Sequence, residues 1–101
     1  MKVKKIDENE FFKIIENDKK ALIDCYATWC GPCKMLSPVI DRIAEENDSC
    51  TFYKIDIDNA EEVASKYGIM SIPTLLLFED GKLKETIIGL RSKKEIEELI
   101  K

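Results

Sequence analysis

The sequence predicts an α/β domain: a mixed central sheet, parallel with a C-terminal antiparallel hairpin, covered by helices on both faces. Three observations carry this prediction. Short β-type segments alternate with longer helical ones along the chain. Ala21 to Ala27 is a near-continuous apolar run of the kind that marks a strand buried on both faces. Asp80-Gly81 stands between two apolar runs as a strong hairpin signal.

Val3 to Ile6 reads as a first strand. Asp7 or Asn9 then opens a helix carrying Phe11, Phe12, Ile14 and Ile15, with Asp7 and Glu10 spaced as a capping box. In the run Ala21–Ala27 only Asp24 interrupts the apolar pattern. From Cys33 to about Glu46 the period is helical, with Leu36, Ile40 and Ile43 on one face, Met35 and Val39 beside them as core, and Pro38 inside. Thr51 to Asp58 alternates as a strand. Asn59 and Glu62 are spaced to cap a short helix ending near Gly68. Thr74–Phe78 and Leu83–Ile88 flank the hairpin, and Ser92 with Glu95 forms a capping box for a last helix with Ile96, Leu99 and Ile100 inward. The order is β-α-β-α-β-α-β-β-α, whose βαβ units call for parallel neighbours and right-handed crossovers.

A chain of 101 residues suits one domain, residues 1–101, and 45% apolar against 36% charged residues supports a packed core. With 16 basic and 20 acidic residues, a net of −4, nucleic-acid binding is not expected. No apolar run approaches the ~18 residues of a membrane span. The basic start Met1–Lys5 leads into acidic residues where a signal peptide needs an apolar stretch, so a cytoplasmic location is expected. The chain has 4 cysteines and no histidine, which in a reducing compartment favours catalytic or metal-binding use over structural disulfides.

Cys30 and Cys33 stand two residues apart at a helix start. The unpaired N–H groups and partial positive charge there stabilise a thiolate, the reactive form of cysteine. Cys30 meets those groups and is the better nucleophile; Cys33, one turn in, is placed to attack the resulting mixed disulfide. Gly31 and Pro32 make the intervening turn, Pro32 at a position where its missing N–H costs nothing. A zinc site would need four ligands, and Cys25 and Cys50 supply only two more with unsuitable spacing, so no metal is expected. Burial of Asp24 without a fixed cation should raise its pKa, although a hydrogen-bonded structural acid reads the same way. Lys54 taken alone is an ordinary solvated strand lysine, and Pro73 an ordinary strand start. Trp29 beside a reactive thiol suits a docking face.

Trp29-Cys30-Gly31-Pro32-Cys33-Lys34 after a buried strand resembles the active site of the thioredoxin family. The resemblance extends through Asp24, Pro38, Lys54, Ile72-Pro73-Thr74, Asp80-Gly81 and Gly89, nearly the whole chain. It implies a thioredoxin-like fold and a protein-disulfide reductase with no bound cofactor beyond the redox-active Cys30–Cys33 pair. It gives Asp24 proton exchange with Cys33, places Lys54 beside that acid, and makes Ile72–Pro73 a cis peptide whose backbone pairs with an extended substrate. Trp29, Gly31, Pro32, Ile72, Pro73 and Gly89 would then form a flat apolar patch around Cys30. The implied partners are a thioredoxin reductase and disulfide-containing client proteins, with the chain acting as a monomer. The Gly31-Pro32 pair resembles reducing members, whereas isomerising relatives carry a histidine between the cysteines. An isomerase is the weaker alternative; a binding module that docks a partner through the same patch remains open.

Departures from the family pattern are Cys25-Tyr26, where an aromatic pair is common, and Ser71 before Ile72. Cys25 reads as a small buried hydrophobe and Cys50 as a strand-start cysteine. Lys93-Lys94 and Glu97-Glu98 read as a solvated helix face.

Overall fold

β2 (Lys20–Tyr26), the apolar run of the sequence, lies at the centre of the sheet in a computed structural model that describes residues 2–101. Around it are β1 (Val3–Ile6), α1 (Glu8–Asn17), α2 (Gly31–Glu46), β3 (Thr51–Asp56), a 3-10 turn at Ile57–Asn59, α3 (Glu61–Lys66), β4 (Thr74–Glu79), β5 (Lys82–Ile88) and α4 (Lys93–Ile100). The strand order is β1-β3-β2-β4-β5. Alternate residues of β2 enter two separate cores: Leu22 packs with Leu36, Ile40 and Ile43 of α2 and Ile96 of α4, while Ile23 and Cys25 pack with Phe11 of α1 and Val63 of α3. Burial on both faces is what the unbroken apolar run requires.

The expected α/β class and both-faced helix cover are present, but the parallel run ends earlier than the crossover pattern predicts. β1, β3 and β2 are parallel, whereas β4 runs antiparallel to β2 as well as to β5. The physical reason is length. α3 has 6 residues and rises only about 9 Å, too little to carry the chain back along a sheet whose strands extend about 20 Å. The chain therefore re-enters the sheet at the end where it left β3. Tyr26 pairs with Asp56, Cys25 with Thr74, and Thr74 with Ile88, so four chain segments arrive at one pole.

Local signals held where they are local. Asp7 and Glu10 close a reciprocal capping box on α1, with bonds of 2.8 and 3.0 Å, and Ser92 with Glu95 does the same on α4. Asp80 at φ 54° and Gly81 at φ 80° make the two-residue hairpin turn, Gly81 adopting a left-handed backbone that a β-carbon would disfavour.

Four expectations are corrected. β3 ends at Asp56, whose carboxylate accepts the Asp58 N–H at 3.0 Å and turns the chain into the 3-10 segment. α3 is capped by Ala60, not Asn59, and Ala60 has no side chain able to accept. The Glu8 carboxylate reaches across from α1 instead and accepts the Val63 N–H at 2.9 Å. Met35 is 65% exposed. The buried face of α2 runs through Cys33, Leu36, Ile40, Ile43 and Ala44, and at about 100° per residue Met35 points well off that arc. Leu99 is exposed at the edge of α4, whose inward stripe is Ile96 and Ile100.

Glu8→Ala should leave the Val63 N–H without its partner and destabilise the protein by about 1 kcal/mol. Thermal denaturation followed by circular dichroism should show a midpoint about 4 to 8 °C lower. An unchanged midpoint would mean that α3 does not depend on this bond.

Candidate active site

Cys30 is the N-cap of α2, with φ −86° and ψ 112°, and its Sγ accepts the Cys33 N–H at 3.2 Å. This is the cap role that Ser or Asp usually fills, here taken by sulfur. Gly31 and Pro32 occupy the first helical positions, so the helix begins two residues before Cys33. Cys30 and Cys33 are joined as a disulfide with Cα atoms 5.3 Å apart. Both are buried, packed with Ala27 and against Tyr26 and Ile72. The reaction of these sulfurs is exchange: a dithiol closes to this ring as a client disulfide opens, and two electrons pass between them.

The loop before β4 meets the same pole. The Ile72–Pro73 bond is cis, and the Ile72 carbonyl oxygen lies 3.9 Å from Cys30 Sγ. The segment is held from both sides: the Thr74 hydroxyl donates to the Ser71 carbonyl at 2.5 Å, and the Gly89 N–H donates to the Pro73 carbonyl at 2.8 Å. Gly89 has φ +86°, the left-handed region that favours glycine. Trp29 is 70% exposed beside Cys30, its indole N–H donating to Asp58 Oδ2 at 2.7 Å. Asp58 escaped the sequence reading because its only signal is its place just after β3.

Beneath the disulfide, Asp24 is 3% exposed and its Oδ1 has no hydrogen-bond partner among the described residues. Burial pushes its pKa up to about 7; the neighbouring Lys54 pulls the other way, and Asp41 adds to the rise. Lys54 stands opposite Asp24 in the β2–β3 register, with its ammonium 6.0 Å from the centre of the Tyr26 ring. A cleft of about 230 Å³ opens here, lined by Asp24, Lys54, Cys33 and Lys34, by the hydroxyl-bearing Tyr26, Thr28 and Ser37, and by Ala27. The sequence-selected residues are thus brought to one pole: Trp29, Gly31, Pro32, Ile72 and Gly89 reach its surface, Cys30 and Pro73 are buried among them, and Cys33, Asp24 and Lys54 lie behind. Ser37 and Asp41 were missed, because α2 reaches Asp24 only in the folded chain.

The other two cysteines stand apart. Cys25 is fully buried on the opposite face of β2, where burial and the nearby Asp24 push its thiol pKa up. Cys50 is free and half-buried, its thiol pushed up to about 11 chiefly by burial. Neither has the depressed pKa of a reactive thiol. Among the described residues no three His, Cys, Asp or Glu side chains cluster as a metal site, and no helix is long and apolar enough to cross a membrane.

The sequence model of the family described as Thioredoxin matches residues 2–101. The chain is 44% identical to a thioredoxin of Mycoplasmoides gallisepticum over 91% of this chain and 92% of the relative. It is 42% identical to a thioredoxin of Bacillus subtilis over 97% of this chain and 93% of the relative. Among solved structures, a thioredoxin of Plasmodium falciparum superposes with a TM-score of 0.90 at 31% identity, covering 97% of this chain and 96% of that one. A mutant thioredoxin of Halobacterium salinarum gives 0.90 at 37% identity, covering 98% and 88%.

Proposed function

The chain belongs to the thioredoxin family and is a thiol–disulfide oxidoreductase acting on disulfide-containing proteins, and on that premise we propose how its residues divide the work. Cys30, as thiolate, attacks one sulfur of a client disulfide; the second client sulfur leaves as a thiolate and takes up a proton. Cys33 then gives its proton to Asp24 and attacks Cys30 Sγ, releasing the first client sulfur and closing the Cys30–Cys33 ring. The observation that carries this division is the N-cap position of Cys30, whose sulfur accepts a backbone N–H from the first turn of α2.

Asp24, with a pKa raised to about 7, can take and return a proton near neutral pH, and Lys54 opposite it limits that rise. Trp29, Gly31, Pro32, Ile72, Pro73 and Gly89 form the docking face, where an extended client segment adds beside Ile72 as a strand adds to a sheet edge. A thioredoxin reductase returns the ring to the dithiol. The protein works as a single domain spanning residues 1–101, and in the cytoplasm, where the free Cys25 and Cys50 suit a reducing environment.

The test supplies oxidised protein with NADPH and a flavoprotein thioredoxin reductase, with insulin as client. Steady NADPH consumption and insulin precipitation, each requiring both proteins, are expected. If insulin reduction driven by dithiothreitol is no faster with the protein than without it, the reductase reading is wrong.

A further inference from the structure

At the buried end of the site one polar atom lacks a partner among the described residues. Asp24 is to exchange a proton with Cys33, yet its Oδ1 touches no donor or acceptor among the described residues. Buried polar atoms are ordinarily satisfied by protein or ordered water. The space adjoining it, about 230 Å³, far exceeds what one water needs, and its polar lining can hold several. Asp24 and Cys33 both line this cleft, as do three neutral hydroxyl groups, those of Tyr26, Thr28 and Ser37, of which Ser37 alone shares α2 with Cys33.

Ser37 follows Cys33 by four residues on α2, which places the two side chains as neighbours on one helix face. A hydroxyl both donates and accepts, so it can receive a hydrogen bond from one water while giving one to the next. The other charged or titratable groups facing Asp24 serve less well. Lys54 from β3 and Lys34 from α2 only donate, and Asp41 from α2 only accepts when ionised. The hydroxyls of Tyr26, at the end of β2, and Thr28, in the loop after it, do not share the α2 face that carries Cys33. β4 contributes the apolar Leu75 opposite Asp24.

We propose that Ser37 is a positioning residue for the redox reaction: its hydroxyl anchors the water through which Asp24 and Cys33 exchange a proton. When Cys33 resolves a mixed disulfide, the Cys33 S–H proton passes to that water as the water gives one of its own to Asp24 Oδ1. The thiolate then attacks Cys30 Sγ, and the client thiolate departs. When the ring is reduced again, the same path returns the proton from Asp24 to the Cys33 thiolate. Water and hydroxyl end each cycle unchanged.

This inference rests on the Asp24 role proposed above, and the test separates the two. Reduced protein is mixed in a stopped-flow instrument with dithiobis-nitrobenzoate. The first coloured thiolate reports attack by Cys30 and the second reports resolution by Cys33, each across pH 5 to 9. Ser37→Ala should leave the first phase unchanged and slow the second about fivefold to tenfold, roughly the worth of one hydrogen bond. The midpoint of its pH profile should move upward, because the water that donates to the Asp24 carboxylate loses its anchor. Ser37→Thr, which keeps the hydroxyl, should restore both. A second phase unaltered in Ser37→Ala but slowed in Asp24→Asn overturns the Ser37 role and leaves Asp24 in place. A second phase unaltered in Asp24→Asn removes the proton role of both residues. Ser37→Thr as slow as Ser37→Ala shows that packing, not the hydroxyl, is responsible, and also overturns the proposal.

Discussion

Cys33→Ser is expected to abolish insulin reduction while leaving client proteins attached to Cys30 through mixed disulfides. Attack by Cys30 depends on its place at the N-cap of α2, and the backbone N–H that meets its sulfur belongs to residue 33 whatever its side chain. The serine variant therefore keeps the first step. It lacks the second thiol, and a serine hydroxyl is not ionised near neutral pH, so the mixed disulfide waits for an external thiol. Turnover should fall more than about a thousandfold, since the covalent intermediate has no internal exit. Non-reducing electrophoresis after incubation with oxidised clients should show adducts that dithiothreitol dissolves. Cys30→Ser should be equally inactive but form no adducts on this route. If Cys33→Ser turns over normally, or if the adducts form on Cys25 or Cys50, the assignment of roles to Cys30 and Cys33 fails.

Asp24→Asn should slow the chemistry and strengthen the fold. An ordinary aspartate has a pKa of 3.8, and burial raises that of Asp24 to about 7 in the folded protein. Between those values the folded chain holds a proton that the unfolded chain has released, so stability falls as pH rises. The loss begins near pH 4 and is complete above pH 7. Three units at about 1.4 kcal/mol each give roughly 4 kcal/mol as the cost of the ionised carboxylate. Asparagine removes the charge but keeps a buried amide, so the gain at pH 8 should be about 2 to 4 kcal/mol, raising the melting temperature by about 10 °C or more. Near pH 4 the two proteins should differ little. Urea denaturation at pH 4, 6 and 8 measures this directly: wild-type stability should decline relative to the variant as pH rises. Curves that stay parallel would show that Asp24 titrates normally. A protein that retains such a costly side chain has exchanged stability for reactivity at this position.

What could be read from the sequence was whatever acts over a few residues. The capping boxes of Asp7 and Ser92, the Asp80-Gly81 turn and the Cys30–Cys33 pair each lie within four consecutive residues. The apolar strand and the lone acid inside it were legible for the same reason. What escaped depends on residues brought together from afar. Val63 takes its cap from Glu8, 55 residues away, and Trp29 is anchored by Asp58, 29 residues away. The direction of β4 follows from the reach of α3 relative to the sheet. Asp24 could be recognised as an anomaly, but Ser37 and Asp41 could be joined to it only once α2 had been laid on β2.

The pole where four chain segments converge divides the chemistry into a portion that survives denaturation and a portion that does not. Cys30 and Cys33 are neighbours in the chain, so a denatured molecule keeps both sulfurs close enough to react. The acid with its raised pKa, the Ile72 carbonyl and the Pro73–Gly89 clasp exist only after β4 has docked against β2. An unfolded copy is then an ordinary vicinal dithiol, comparable to a small-molecule reductant. Selective, proton-coupled exchange switches on only as the sheet closes, and catalytic competence becomes a readout of native structure.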